Sequence, residues 1–182
     1  MSTILTIGHS TRTLAELVSL LHENGVEVLV DVRRYPASRR HPQFNREMLE
    51  RSLPESSIEY VWMPELGGRR TPRKDSHNTA WRNAGFRGYA DYMETESFRL
   101  AMARLGQLAQ AKRTAIMCAE QAWQQCHRGL ISDFVKVRGD EVIHILGHGR
   151  TELHPWTAAA HIVDGKLSYA APAEPGQEDF GF

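Results

Sequence analysis

Five short apolar runs, separated by stretches of helical periodicity, constrain this 182-residue chain more than any other feature. They are Ile4-Leu-Thr-Ile7, Val28-Leu-Val-Asp-Val32, Ile58-Glu-Tyr-Val-Trp-Met63, the stretch from Thr114 to Cys118 and Glu120, and Glu141-Val-Ile-His-Ile-Leu146. Each is strand-length, bounded by turn residues and apolar enough to be buried. Thr13 precedes Glu16 by the capping-box spacing, Leu14, Leu17, Val18 and Leu21 form a helical stripe, and Asn24-Gly25 stops it. Further helices are expected over 45–53, ended by Pro54, over 89–111, and from Cys126 to about Val137. Strands alternating with helices predict a single-domain α/β fold: a doubly wound, Rossmann-like, mostly parallel sheet of about five strands. Strand orders 2-1-3-4-5 and 3-2-1-4-5 both remain open. A small C-terminal hairpin is expected over 160–169, turning on Asp164-Gly165. The domain is read as residues 1–172, with 173–182 a disordered tail.

No run approaches the roughly 20 apolar residues of a membrane span, and the N-terminus lacks a signal peptide's charged and apolar regions, so no membrane association and a cytoplasmic location are expected. Two cysteines make no disulfide framework; in a reducing compartment they are free, metal-bound or reactive. Net charge is zero but unevenly spread: residues 33–87 carry 12 Lys+Arg against 6 Asp+Glu. Eleven of those cations are arginines, suited to bidentate contact with phosphate or carboxylate. The polar, arginine-rich stretch from Arg69 to Gly88 is long for a connection and reads as a functional loop or lid.

The polar residues fall where the strands stop. The first ends in His9 and Ser10, the second in Asp31 and Arg33, the third in Glu65 before Gly67-Gly68, the fourth in Cys118 and Glu120. In an open α/β sheet that edge is the ligand crevice. Cys126, opening a helix beside His127 and Arg128, meets the conditions for a stabilised thiolate. Catalytic roles are therefore assigned to Cys118, Glu120, Cys126 and His127, and substrate binding to His9, Ser10, Asp31, Arg33 and Arg128. The spacing from Cys118 to Arg128 excludes the Cys-five-residues-Arg loop of cysteine phosphatases. Cys118, Cys126, His127 and His9 have donor atoms for a soft ion, but they lack the paired spacing of structural zinc sites. Cys126 and His127, being neighbours, are not expected to face one ion, so no metal is assigned. The residues identify no cofactor.

Taken in order, Thr6-Ile-Gly-His-Ser10, Asp31-Val-Arg33 with Pro36 and Ser38, Leu66-Gly-Gly68, Phe86 with Tyr89-Ala90 and Tyr92-Met93, and Cys118-Ala-Glu120 with Cys126-His-Arg128 resemble the domain of unknown function 488 family. The resemblance runs from the first strand to about Tyr169. It implies a bacterial or archaeal single-domain α/β protein without an established activity, and supports treating the strand-end residues as one constellation.

Two functions follow. In the first, an enzyme acts on an anionic, nucleotide-like or nucleic-acid-derived substrate: Arg33 and Arg128 bind the anion, a cysteine serves as nucleophile or thiol ligand, and His127 or Glu120 moves protons. This requires Cys118, Cys126 and Arg33 to share one pocket. In the second, a non-catalytic nucleic-acid or nucleotide-binding module uses the arginine-rich segment, with Tyr35, Trp62 and Trp81 for stacking.

Overall fold

The computed structural model describes residues 2–172. The expected tail, residues 173–182, lies outside the described residues. The main sheet has six strands, β1 (Thr3–Gly8), β2 (Val28–Asp31), β3 (Glu59–Trp62), β4 (Thr114–Cys118), β5 (Glu141–Gly147) and β6 (Arg150–Leu153), in the order β3-β2-β4-β1-β5-β6. The first five are parallel and correspond to the five apolar runs; β6 is antiparallel to β5. β7 (His161–Val163) and β8 (Lys166–Ser168) form the expected hairpin, with Asp164 and Gly165 both at positive φ in its turn. Among the described residues, no helix is long and apolar enough to cross a membrane.

Neither strand order considered from sequence is the observed one, because β4 inserts between β2 and β1. Its position follows from burial: every residue of β4 is buried, whereas β3 begins on an exposed glutamate and is otherwise half-buried, as an edge strand should be. β6, Arg-Thr-Glu-Leu, escapes the sequence reading because it is a short, mostly exposed edge without an apolar run.

The pleat sends alternate residues to two cores. Leu5, Ile7, Leu29, Ala115 and Met117 pack with Leu17, Leu20 and Leu21 of α1 (Leu14–Glu23) and Leu49 and Leu53 of α2 (Arg46–Glu55). Ile4, Val28, Val30, Ile116 and Cys118 pack on the other face, with α3 (Ala84–Met93), α4 (Glu96–Ala111) and α5 (Arg128–Val137). Fully burying each large aliphatic side chain contributes about 1.5–3 kcal/mol, which makes both faces necessary to the fold. The capping box of α1 forms as expected, Glu16 N–H donating to Thr13 Oγ1 and Thr13 N–H to the Glu16 carboxylate.

The long helix expected over 89–111 is two. α3 starts earlier, capped by Asn83, and the chain breaks at Thr95, whose hydroxyl caps α4. The preceding polar stretch is pinned rather than free. The buried Asp91 carboxylate accepts from Arg73 N–H, the Ser76 hydroxyl and the Asn78 amide, and the Arg70 guanidinium lies 3.6 Å from the Tyr92 ring centroid.

The connections place the site. β1-α1-β2-α2-β3 winds one way across one face; β3-α3-α4-β4-α5-β5 winds back across the other. Neighbouring β2 and β4 therefore send their following loops to opposite faces, and a crevice opens between those loops.

Candidate functional site

A cavity of about 400 Å³ occupies that crevice, within the range of small-molecule sites. Arg33, Arg34 and Tyr35 come from the β2 exit, Gly68 and Arg69 from beyond β3, Phe86 and Tyr89 from α3, and Cys118, Glu120, Cys126 and His127 from the β4 exit. Cys118, Cys126 and Arg33 thus share one pocket. A second cavity of about 770 Å³ lies on the β1 side of the β4 loop, lined among others by His9, Ser10, His41, Arg40 and Arg150. Glu120 and Gln125 border both.

Local folding brings the thiols and imidazole together. After β4, a single 3-10 turn over Trp123–Gln125 leads to Cys126 in extended conformation, and His127 turns into α5. Gly129 N–H donates to the Cys126 carbonyl, so Cys126 sits immediately before the helix. Arg128 N–H points at Cys126 Sγ, 3.5 Å away, where helix-terminal N–H groups favour negative charge. His127 Nε2 is 3.1 Å from the Val32 carbonyl oxygen, which can only accept; the proton is therefore on Nε2 in the neutral ring. Nδ1 is left as an acceptor 3.6 Å from Cys126 Sγ. Gly68 packs against this ring: a Cβ there would lie 2.9 Å from His127 Nδ1. Cys118 Sγ, Cys126 Sγ and a His127 ring nitrogen all lie within 4.8 Å of one another. Although Cys126 and His127 are sequence neighbours, the 3-10 turn and cap geometry fold the imidazole back toward its neighbour's sulfur.

The two thiols differ. Burial pushes the Cys126 thiol up, but the neighbouring Cys118 thiol, the charge of Arg128 and its backbone N–H outweigh that and hold it at about 7. The neighbouring Cys126 sulfur, together with burial, drives Cys118 far above the ordinary thiol range. Of the two sulfurs, Cys126 is therefore the one whose surroundings favour the thiolate.

Arg33 and Arg128, expected to bind an anion, and Asp31, expected to bind substrate, are each engaged by protein groups. Asp31, fully buried, accepts Arg33 Nε at 2.8 Å, Arg33 Nη2 at 2.5 Å, Arg33 N–H at 3.0 Å and Tyr60 OH at 2.7 Å. Arg33 also donates to the Phe44 carbonyl, so its charge is matched and its fork occupied by the wall of the cavity. Arg128, 1% exposed, lines neither cavity. Its Nη2 donates to the carbonyls of Glu120 and Gln121 and its Nη1 to Thr6 Oγ1, while Nε has no partner and no carboxylate lies within ion-pair distance among the described residues. His9, stacked on Phe44 with centroids 4.3 Å apart, accepts from Arg33 Nη1 and faces the second cavity. Burial and the nearby Arg33 charge hold it at about 4 despite the Ser10 carbonyl. Ser10 is strained, with φ +49. Gly8 lets the β4 loop cross: a Cβ there would run into the Glu120 carbonyl.

Sequence reasoning missed Arg34 and Gln125 as cavity residues, and a buried network behind the site. Arg128 donates to Thr6 Oγ1, Thr6 OH to His144 Nδ1 at 2.6 Å, His144 Nε2 to His154 Nδ1 at 2.8 Å, and His154 Nε2 to Asp133 at 3.0 Å. The carboxylate at one end and the guanidinium at the other fix these directions. Thr157 and Tyr169 complete the Asp133 shell, so the segment after His154 packs on α5.

A family model described as domain of unknown function DUF488 matches residues 13–135, two thirds of the chain, from the helix after His9 and Ser10 to near the end of α5. No curated protein and no solved structure matches.

Proposed function

The chain belongs to the DUF488 family, and on that premise we propose that it is an enzyme using the Cys126 sulfur on an anionic, nucleotide-sized substrate. The observation that carries this reading is a buried guanidinium without a carboxylate, on the residue whose N–H points at Cys126 Sγ. A buried cation left unmatched favours a negative charge beside it, and the thiolate supplies one. Arg34 and Arg69 border the cavity and are the side chains suited to hold the anion; Arg33 and Asp31 brace its wall, and Arg128 acts through charge and by holding the Glu120 and Gln121 carbonyls. Cys126 attacks as the thiolate, and His127 Nδ1, 3.6 Å from its sulfur, takes a proton from solvent and carries it to the leaving group. The sulfur bonds to an electrophilic carbon or phosphorus as the leaving group departs with its electron pair and takes the proton from His127. Water, losing a proton to Glu120, then releases the product and returns Cys126 as thiolate. A reducing compartment such as the cytoplasm suits two free thiols.

The exposed ring of Tyr35, 66% accessible with Arg34 5.6 Å from its centroid, favours a second reading: a nucleic-acid or nucleotide-binding module on the basic segment 33–87. Protection of Cys126 from iodoacetamide by nucleoside monophosphates, abolished in Arg69→Ala, is expected for the enzyme. Single-stranded oligonucleotide binding that weakens steeply with salt and is unchanged by Cys126→Ser, without such protection, would instead establish the module.

A further inference from the structure

The three donors at the crevice have a property the nucleophile reading does not require. Cys118, Cys126 and His127 converge from two directions, β4 and the start of α5, with their ligand atoms within 4.8 Å of one another and the Cys126–His127 pair at 3.6 Å. A tetrahedral zinc-class site, with bonds of about 2.0–2.3 Å, needs neighbouring ligand atoms roughly 3.3–3.8 Å apart. We propose that Cys118, Cys126 and His127 form a binding site for a soft divalent ion of the zinc class, and that its occupancy takes the Cys126 sulfur out of nucleophilic chemistry. The second clause rests on the reading of Cys126 as the reactive atom; the first stands without it.

Three features support the site. His127 offers Nδ1 because Nε2 donates to the Val32 carbonyl, the outer-shell bond that orients metal-ligating histidines. Two sulfurs and one imidazole are the donor set that selects a thiophilic d10 ion over magnesium or calcium. The side facing the cavity is open, leaving a fourth position for water or for Glu120, which lines the same cavity. Both sulfurs bind as thiolates, so loading releases protons and weakens as pH falls. The sulfur lone pair that would attack substrate becomes the metal bond, making the ion a reversible inhibitor of the proposed enzyme.

Cobalt(II) is the probe, added to the full-length protein after chelator treatment. One equivalent should give thiolate-to-cobalt charge transfer and the intense visible bands of tetrahedral cobalt, and zinc should displace it. Cys118→Ser, Cys126→Ser and His127→Gln should each weaken binding by roughly a hundred-fold or more, their circular dichroism matching the parent. Stoichiometric zinc should block iodoacetamide at Cys126 and chelator should restore it. No charge-transfer band, or binding that survives all three substitutions, would overturn the site; alkylation of Cys126 unaffected by bound zinc would overturn the inhibition. Reactivity in chelator reports separately: a reactive Cys126 with no cobalt binding leaves the enzyme reading standing, whereas an inert Cys126 in chelator removes that reading whether or not cobalt binds.

Discussion

The backbone N–H of Arg128 points at the Cys126 sulfur from 3.5 Å, while the guanidinium of the same residue, 1% exposed, faces only a hydroxyl and two carbonyls. One residue thus supplies Cys126 with a helix-terminal donor and a poorly matched positive charge. Replacing Arg128 with Met keeps the donor and removes the charge. The Cys126 thiol should then titrate at least about one unit higher, some 1.4 kcal/mol of lost thiolate stabilisation. The pH profile of alkylation, followed by mass spectrometry, measures it; an unchanged profile would show that the guanidinium is structural only.

Asp31 and Arg33 make a different kind of pair. Their buried, bidentate ion pair with Tyr60 closes the end of β2, so Asp31→Asn leaves the guanidinium without its partner. Removing one member of such a pair costs about 3–5 kcal/mol, whereas Tyr60→Phe should cost about 1 kcal/mol. Urea denaturation compares the two; equal, small effects would contradict the assignment of Arg33 to the cavity wall.

His9 and His144 give the fold an acid sensitivity. Burial, with Arg33 beside His9, and with His154 and Arg128 beside His144, holds them at about 4 and about 3. Both lie below the unfolded value of about 6.5, so the unfolded chain binds more protons in the interval between. Their contribution is complete above pH 6.5 and is lost as pH falls toward 4 and then 3. At pH 5 each should cost roughly 2 kcal/mol relative to pH 7. In His144→Gln, stability should fall less steeply from pH 7 to pH 5; an identical slope would contradict a neutral, buried His144.

Asp91 ties down the segment leading to α3 through Arg73, Ser76 and Asn78. Asp91→Ala should expose the arginines and lysine of residues 69–74 to trypsin, with cleavage there at least ten times faster than in the parent. Equal cleavage rates would mean that the segment is held by other contacts.

Much of this arrangement was legible in the sequence, and the reasons for the rest are physical. The five apolar runs located the parallel strands because both faces of such a sheet are buried, and their polar ends located the crevice. Strand order was not legible, since it depends on which burial competes best for the centre, and β4 won that place through five consecutive buried residues. Cys118, Glu120, Cys126 and His127 do line one cavity. Arg33 and Arg128 carried the right chemistry for anions, and Asp31 stood with them as a substrate-binding residue, but their partners decide their roles. Asp31 meets Arg33 two residues away, and Arg128 meets carbonyls seven and eight residues back. The His144–His154–Asp133 line was invisible because His144 is on β5, His154 just beyond β6 and Asp133 on α5, and no spacing links them.

The most direct test of the account is the alkylation rate of Cys126 against pH, resolved from Cys118 by mass spectrometry, in the presence of chelator. Cys126 is expected to react as a thiolate with a half-point near the value of about 7 that its surroundings impose, and Cys118 to stay inert through neutral pH. A Cys126 that reacts only as an ordinary thiol, with a half-point near about 8.5, or that Cys118 outpaces, would contradict it.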